Sequence, residues 1–141
     1  MKREDIEKKA FELHAGGFHC AEAISKAITD TFGDVPATEI PMVASGFGGG
    51  MGGTHEEACG IFTGGVIAIG YIYGRMDRDE KPQKAFELTA KFRERFIEEV
   101  GHTRCGSILE MLGEQENMMK CKKLTGRIAG VLAEVIREKN T

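Results

Sequence analysis

From Ala58 to Gly74 the chain carries no charged residue, and almost every side chain in that run is apolar or small. A segment without a polar face has to be surrounded by protein or by lipid. It is shorter than the roughly 20 apolar residues of a membrane helix, and Gly60, Gly64, Gly65 and Gly70 interrupt it. The run therefore predicts a buried central helix. Small residues at 60, 64, 65, 68 and 70 allow neighbouring helices to approach closely and make it the hub of the molecule.

Elsewhere apolar residues recur at helical spacing, and no segment shows the sustained alternation of a half-buried strand. The expected fold is all-α: one domain, residues 1–141, built as a bundle of six to seven helices around the glycine-rich central one. Helices are expected near 3–14, 20–32, 38–45, 57–73, 82–99, 104–112 and 118–138. Gly16-Gly17, Gly33 and Gly113 supply stops, and Pro82 suits a first turn. Thr54-His55-Glu56-Glu57 has the spacing of a capping box, which puts the start of the central helix just before Cys59. At 141 residues the chain can bury roughly two thirds of the surface it exposes unfolded, enough for a core.

Charge and composition remove several function classes. A net charge of −3 gives no basic stripe for nucleic acid, and with no Trp and two Tyr residues, platforms for base stacking are scarce. Met1 to Lys9 is highly charged without an apolar segment, so it does not read as a secretory signal, and a cytoplasmic location is expected. No membrane association is expected. Gly48-x-Gly50-x-x-Gly53 matches a dinucleotide fingerprint in form only, because Met42 to Ser45 is a poor strand and no alternating strand and helix units follow.

Four cysteines remain, Cys20, Cys59, Cys105 and Cys121, and a reducing compartment argues against two permanent disulfides. No two form a Cys-x-x-Cys pair. Each begins an apolar stripe of helical period: Cys20 with Ile24, Ala27 and Ile28; Cys59 with Phe62, Val66 and Tyr73; Cys105 with Ile108, Leu109 and Leu112; Cys121 with Leu124, Ile128 and Leu132. All four thus fall in the opening turns of helices, where unpaired N–H groups and the helix dipole favour anionic sulfur. His19, His55 and His102 lie within four residues of a cysteine, whereas His14 does not. Their default role is polar surface or capping. Met118-Met119 and the phenylalanines read as core, and Lys120, Lys122, Lys123 and Arg127 as a solvated face around Cys121 that could also steer an acidic partner.

The order of these features, His19-Cys20-Ala21, the glycine-rich Gly46 to Gly53, Cys59-Gly60-Ile61-Phe62-Thr63-Gly64, then single Cys105 and Cys121, resembles the redox-active family named for its C_GCAxxG_C_C cysteine pattern. The likeness spans roughly residues 15 to 135. It implies a helical domain with redox-active or metal-binding cysteines, similar to the non-haem part of split-Soret cytochromes. The chain has no haem attachment motif, so only the cysteine site carries over.

Three readings follow. In the first, Cys20, Cys59, Cys105 and Cys121 supply thiolates to one [2Fe–2S] or [4Fe–4S] cluster for electron transfer. In the second, Cys59 or Cys105 attacks in thiol–disulfide exchange or redox sensing, with Arg104 favouring the Cys105 thiolate. In the third, the same residues hold structural zinc, although zinc usually takes closely spaced ligand pairs. A redox partner protein and a second copy of the chain are the partners left open. For Gly48, Gly49 and Gly50 the expectation is a close-fitting loop that brings backbone N–H groups to the sulfur site.

Overall fold

The computed structural model describes residues 1–35 and 37–139. Seven helices account for most of it: α1 Arg3–Ala15, α2 Cys20–Phe32, α3 Ile40–Ala44, α4 Gly60–Tyr73, α5 Gln83–Val100, α6 Cys105–Leu112 and α7 Met119–Lys139. A short 3-10 turn, Ser45–Phe47, continues α3. No strand occurs among the described residues; a single antiparallel bridge joins Ala58 to Arg104. Nor is any helix among them long and apolar enough to cross a membrane.

The uncharged run becomes α4, which lies against α2 and α5 and reaches α7; α2 shares the central place and also touches α1 and α3. Glycines set how close the neighbours come. A Cβ at Gly64 would sit 2.5 Å from the Ala21 carbonyl oxygen and 2.7 Å from Ile24 Cγ2, so α2 rests directly on the α4 backbone. On another face, a Cβ at Gly65 would fall 2.5 Å from the Phe92 ring of α5. Phe92 and Phe96 are fully buried and meet Phe62 at centroid distances of 5.6 and 5.3 Å. Burying each such ring contributes about 1.5–3 kcal/mol. Ile24, Ile28, Ile61, Ile69, Ile128 and Leu132 complete the same core. Phe86 departs from the expected burial and is 64% exposed.

Helix α1 lies along α7 by a similar device. Gly126 and Gly130 of α7 receive the backbone and side chain of Glu7, and Ile6 and Ala10 are fully buried in the seam. Arg3 bonds Glu7 at 2.8 Å and also pairs with Glu134, which Arg95 of α5 reaches at 3.3 Å. Three helices are thereby tied by one run of alternating charges.

Candidate functional site

Cys20 and Cys105 are the first residues of α2 and α6, Cys59 immediately precedes α4, and Cys121 lies in the first turn of α7. All four are free thiols and line one cavity of about 380 Å³. Its remaining wall includes Phe18, Ile61, Ile108, Leu109 and Leu124, with His14, His19, His55 and Lys122 as polar members. No group of three or more His, Cys, Asp or Glu side chains among the described residues could hold a single metal ion. The thiols share the lining of that space.

Two crossings place the sulfurs. The first is α2 on α4: a Cβ at Gly60 would lie 2.5 Å from Cys20 Sγ, so the glycine after Cys59 is what lets the Cys20 sulfur rest against the start of α4. The glycines of Cys59-Gly60-x-x-x-Gly64 are one helical turn apart and receive Cys20 and Ala21 in succession. The second crossing joins the segment before α4 to the segment before α6. Cys59 N–H donates to Thr103 O at 2.6 Å, Cys105 N–H to Glu57 O at 2.9 Å, and Gly106 N–H to His55 O at 2.8 Å.

That second crossing corrects the expected capping box. Helix α4 starts at Gly60, not 57, with Cys59 as its N-cap residue. Thr54 Oγ1 accepts the Glu56 N–H at 3.2 Å and lies 2.9 Å from the Gly50 and Met51 carbonyls to which it can donate, so it belongs to the glycine loop. Glu57 and Ala58 are occupied with α6. A long-range backbone ladder has taken residues that local signals assign to a helix.

Within the loop, Gly49, Gly50, Met51, Gly52, Gly53 and His55 all have φ between 59° and 71°. Such a left-handed series is costly for residues other than glycine. The coil closes on itself through Gly52 N–H to Gly46 O, Gly53 N–H to Gly48 O and His55 N–H to Gly49 O. A Cβ at Gly50 would meet Cys105 Cβ at 2.6 Å and His55 Cα at 2.9 Å, so the loop presses on the Cys105 wall. Gly48 is buried against His19, and the Gly49 N–H favours anionic sulfur at Cys20.

Burial sets the protonation of the thiols. It pushes Cys59 up to about 12, with the Cys20 charge adding to the rise and the N–H groups of Ile61 and Phe62 opposing it. The Ile61 and Phe62 N–H groups donate no capping hydrogen bond to the neutral Cys59 sulfur and act on the anion. Burial likewise raises Cys20, against the Gly49 and Ala21 N–H groups. Cys105 is raised by burial and by Cys20 and Cys121, with Arg104 pulling the other way. The expected lowering by helix starts and by Arg104 is therefore outweighed: desolvation and mutual repulsion of the sulfurs win. Arg104 is spent on the loop, bonding Glu56 O at 3.2 Å and Glu56 Oε2 at 3.4 Å.

The other candidates separate. His14 lines the cavity with Nδ1 3.0 Å from Thr125 Oγ1, so the histidine without a neighbouring cysteine is one that reaches the site. Burial, with Lys122 and His19 nearby, lowers it to about 4. His55 also lines the cavity; His102 lies on a separate shallow pocket. Met118 and Met119 are 45% and 37% exposed instead of core, Met118 at the cavity wall, while Met42 and Met51 do not line it. Lys120 Nζ donates to Leu112 O at 2.7 Å and Arg127 pairs with Glu99, which leaves Lys122 as the cation on the cavity wall. Sequence reasoning missed Gln115, whose amide bonds Cys121; six residues of separation across a loop give no periodic signal.

A family model described as "Putative redox-active protein (C_GCAxxG_C_C)" matches residues 18–135. No curated protein and no solved structure matches the chain.

Proposed function

The chain belongs to the C_GCAxxG_C_C family of redox-active proteins, and from that premise we propose that Cys20, Cys59, Cys105 and Cys121 hold one iron–sulfur cluster that passes electrons to a partner protein. The observation that carries this reading is the lining of one cavity by four thiols from four separate helix starts.

The size of the cavity suits a cluster better than a single ion. Zinc draws four sulfurs to about 2.3 Å from one centre, whereas a polynuclear cluster spreads its thiolates over several irons and needs a space between them. A cavity of about 380 Å³ with all four thiols in its lining offers such a space. The raised thiols argue against a nucleophile poised for exchange, since the thiolate is the attacking species. A metal centre has the opposite relation to them: it displaces the protons, and loading becomes favourable as pH rises. The N–H groups of Gly49 and Ala21 at Cys20, and of Ile61 and Phe62 at Cys59, would offset part of the negative charge that a cluster brings. When bound, the cluster supplies one-electron chemistry; the chain supplies four ligands, a largely apolar wall and those N–H groups.

The test is anaerobic reconstitution with iron and sulfide. A brown protein with visible absorption and two or four irons per chain is the expected result, with iron content falling in each of the four Cys→Ser variants. A colourless, iron-free chain overturns the proposal, and a disulfide that cycles reversibly in that chain would move the function to thiol–disulfide exchange.

A further inference from the structure

Gln115 lies in the connection between α6 and α7, outside every helix. Its Oε1 accepts the Cys121 backbone N–H at 3.0 Å, and its Nε2 lies 3.3 Å from Cys121 Sγ. The amide orientation is dictated by chemistry: a backbone N–H can only donate, so the oxygen must face it, which turns the –NH2 group toward sulfur.

The loop is bent to make this contact. Gly113, Asn117 and Met118 have φ of 74°, 50° and 55°, and the last two are neighbours without glycine's freedom. Left-handed conformations at such residues are costly and persist only where surrounding contacts hold them. Lys120 Nζ to Leu112 O at 2.7 Å and Met119 N–H to Glu116 O at 2.9 Å hold the fold-back closed. The contact also differs in kind from those at the other sulfurs. Cys20 and Cys59 face backbone N–H groups, which no substitution of their own side chains removes. Cys121 receives its N–H from a side chain.

We infer that Gln115 is the positioning residue of the Cys121 ligand: its amide fixes the orientation of the sulfur and, on the iron–sulfur reading above, tunes the cluster through an N–H···S bond. Donation to a ligand sulfur withdraws negative charge from it and favours the reduced, more anionic state, which raises the reduction potential. The same amide oxygen caps an otherwise unpaired N–H of α7, so one side chain couples the helix start to the electronics of the site.

Two variants of the full chain, reconstituted anaerobically, test this by redox titration and by the rate of iron release to a chelator. Gln115→Glu keeps an acceptor for the Cys121 N–H but replaces the donor with an anionic oxygen. Gln115→Leu removes donor and acceptor together; should it not fold, Gln115→Asn, one methylene too short to make both bonds, takes its place. The expected result is a shift to lower potential in both variants, larger for Glu, with iron released about tenfold faster. Wild-type potential and release rate in both variants overturn the inference, leaving Gln115 as a helix cap. A shift in the Glu variant without one in its companion traces to added charge and overturns it as well. Wild-type protein that stays colourless overturns the iron–sulfur reading itself, and this inference with it.

Discussion

The α1–α7 seam and the cysteine cavity lie in one bundle but are held differently. Along the seam, side chains do the holding: Ile6 and Ala10 are buried, Glu7 fits over Gly126 and Gly130, and Arg3, Glu134 and Arg95 form a charged run across three helices. Around the cavity, backbone does it. The loop from Gly46 to Ala58 closes on itself and on α6 through main-chain hydrogen bonds, with six residues in the left-handed region. The first kind of contact requires particular side chains at periodic positions, with bare glycines at 126 and 130 to receive them. The second adds no such side chains and rests on glycine itself, because a Cβ at Gly50 or Gly60 would occupy space already taken by Cys105 or Cys20.

Substitutions that introduce a side chain test whether the helical body and the glycine loop fail independently. The largest effect is expected at Gly64→Val, where the added atoms meet the α2 backbone at Ala21. Overpacking against backbone should cost about 3 kcal/mol, read as a lower midpoint in denaturant unfolding, because this position belongs to the helical body. Next is Gly50→Val, which adds a β-branched residue at φ 70° against Cys105. A loss of roughly 1–3 kcal/mol is expected, together with loss of iron uptake by a chain whose helical circular dichroism persists. Unfolding of the whole bundle by this change would show that loop and body are one unit.

The smallest effect concerns His14, the joint between the regions, since it extends from α1 to Thr125 of α7 and to the cavity wall. Its folded value of about 4 lies below the ordinary 6.5. Between those values the unfolded chain binds a proton that the folded chain does not, so stability is fully present above about pH 6.5 and is lost as pH falls toward 4. His14→Gln should flatten that part of the stability profile in urea titrations at stepped pH. An unchanged slope would place the acid sensitivity elsewhere.

Periodicity made the helical body legible. Apolar spacing and stop signals placed α1, α2, α5, α6 and α7 within about two residues of their observed ends, and the uncharged run identified α4 as interior. The four cysteines were also legible as helix-start residues, because each leads a stripe. What was hidden lies where the chain is not periodic. Thr54 and Glu57 carry a helix-start signature, yet Thr103, Arg104 and Cys105 compete for the same backbone from more than forty residues away. Protonation was misread for a related reason: a helix start can be seen in sequence, whereas the burial of three sulfurs beside one another cannot. Proximity in sequence to a cysteine found His19 and His55 on the cavity wall but not His14 or Gln115, which reach the site from α1 and from the loop before α7.

The ladder between the α4 and α6 entrances, and the distance in sequence from Cys20 to Cys121, also set the order in which the molecule is completed. Cys20 meets Gly60 after one loop closure, and Cys59 is aligned with Cys105 after a second. The wall carrying Cys121 comes with the final helix. Each closure has an entropic cost that local helix formation does not repay. The cavity, like the α1–α7 seam, therefore cannot be complete without the last helix, and a nascent chain presents a finished site only after α7 has been synthesised and docked.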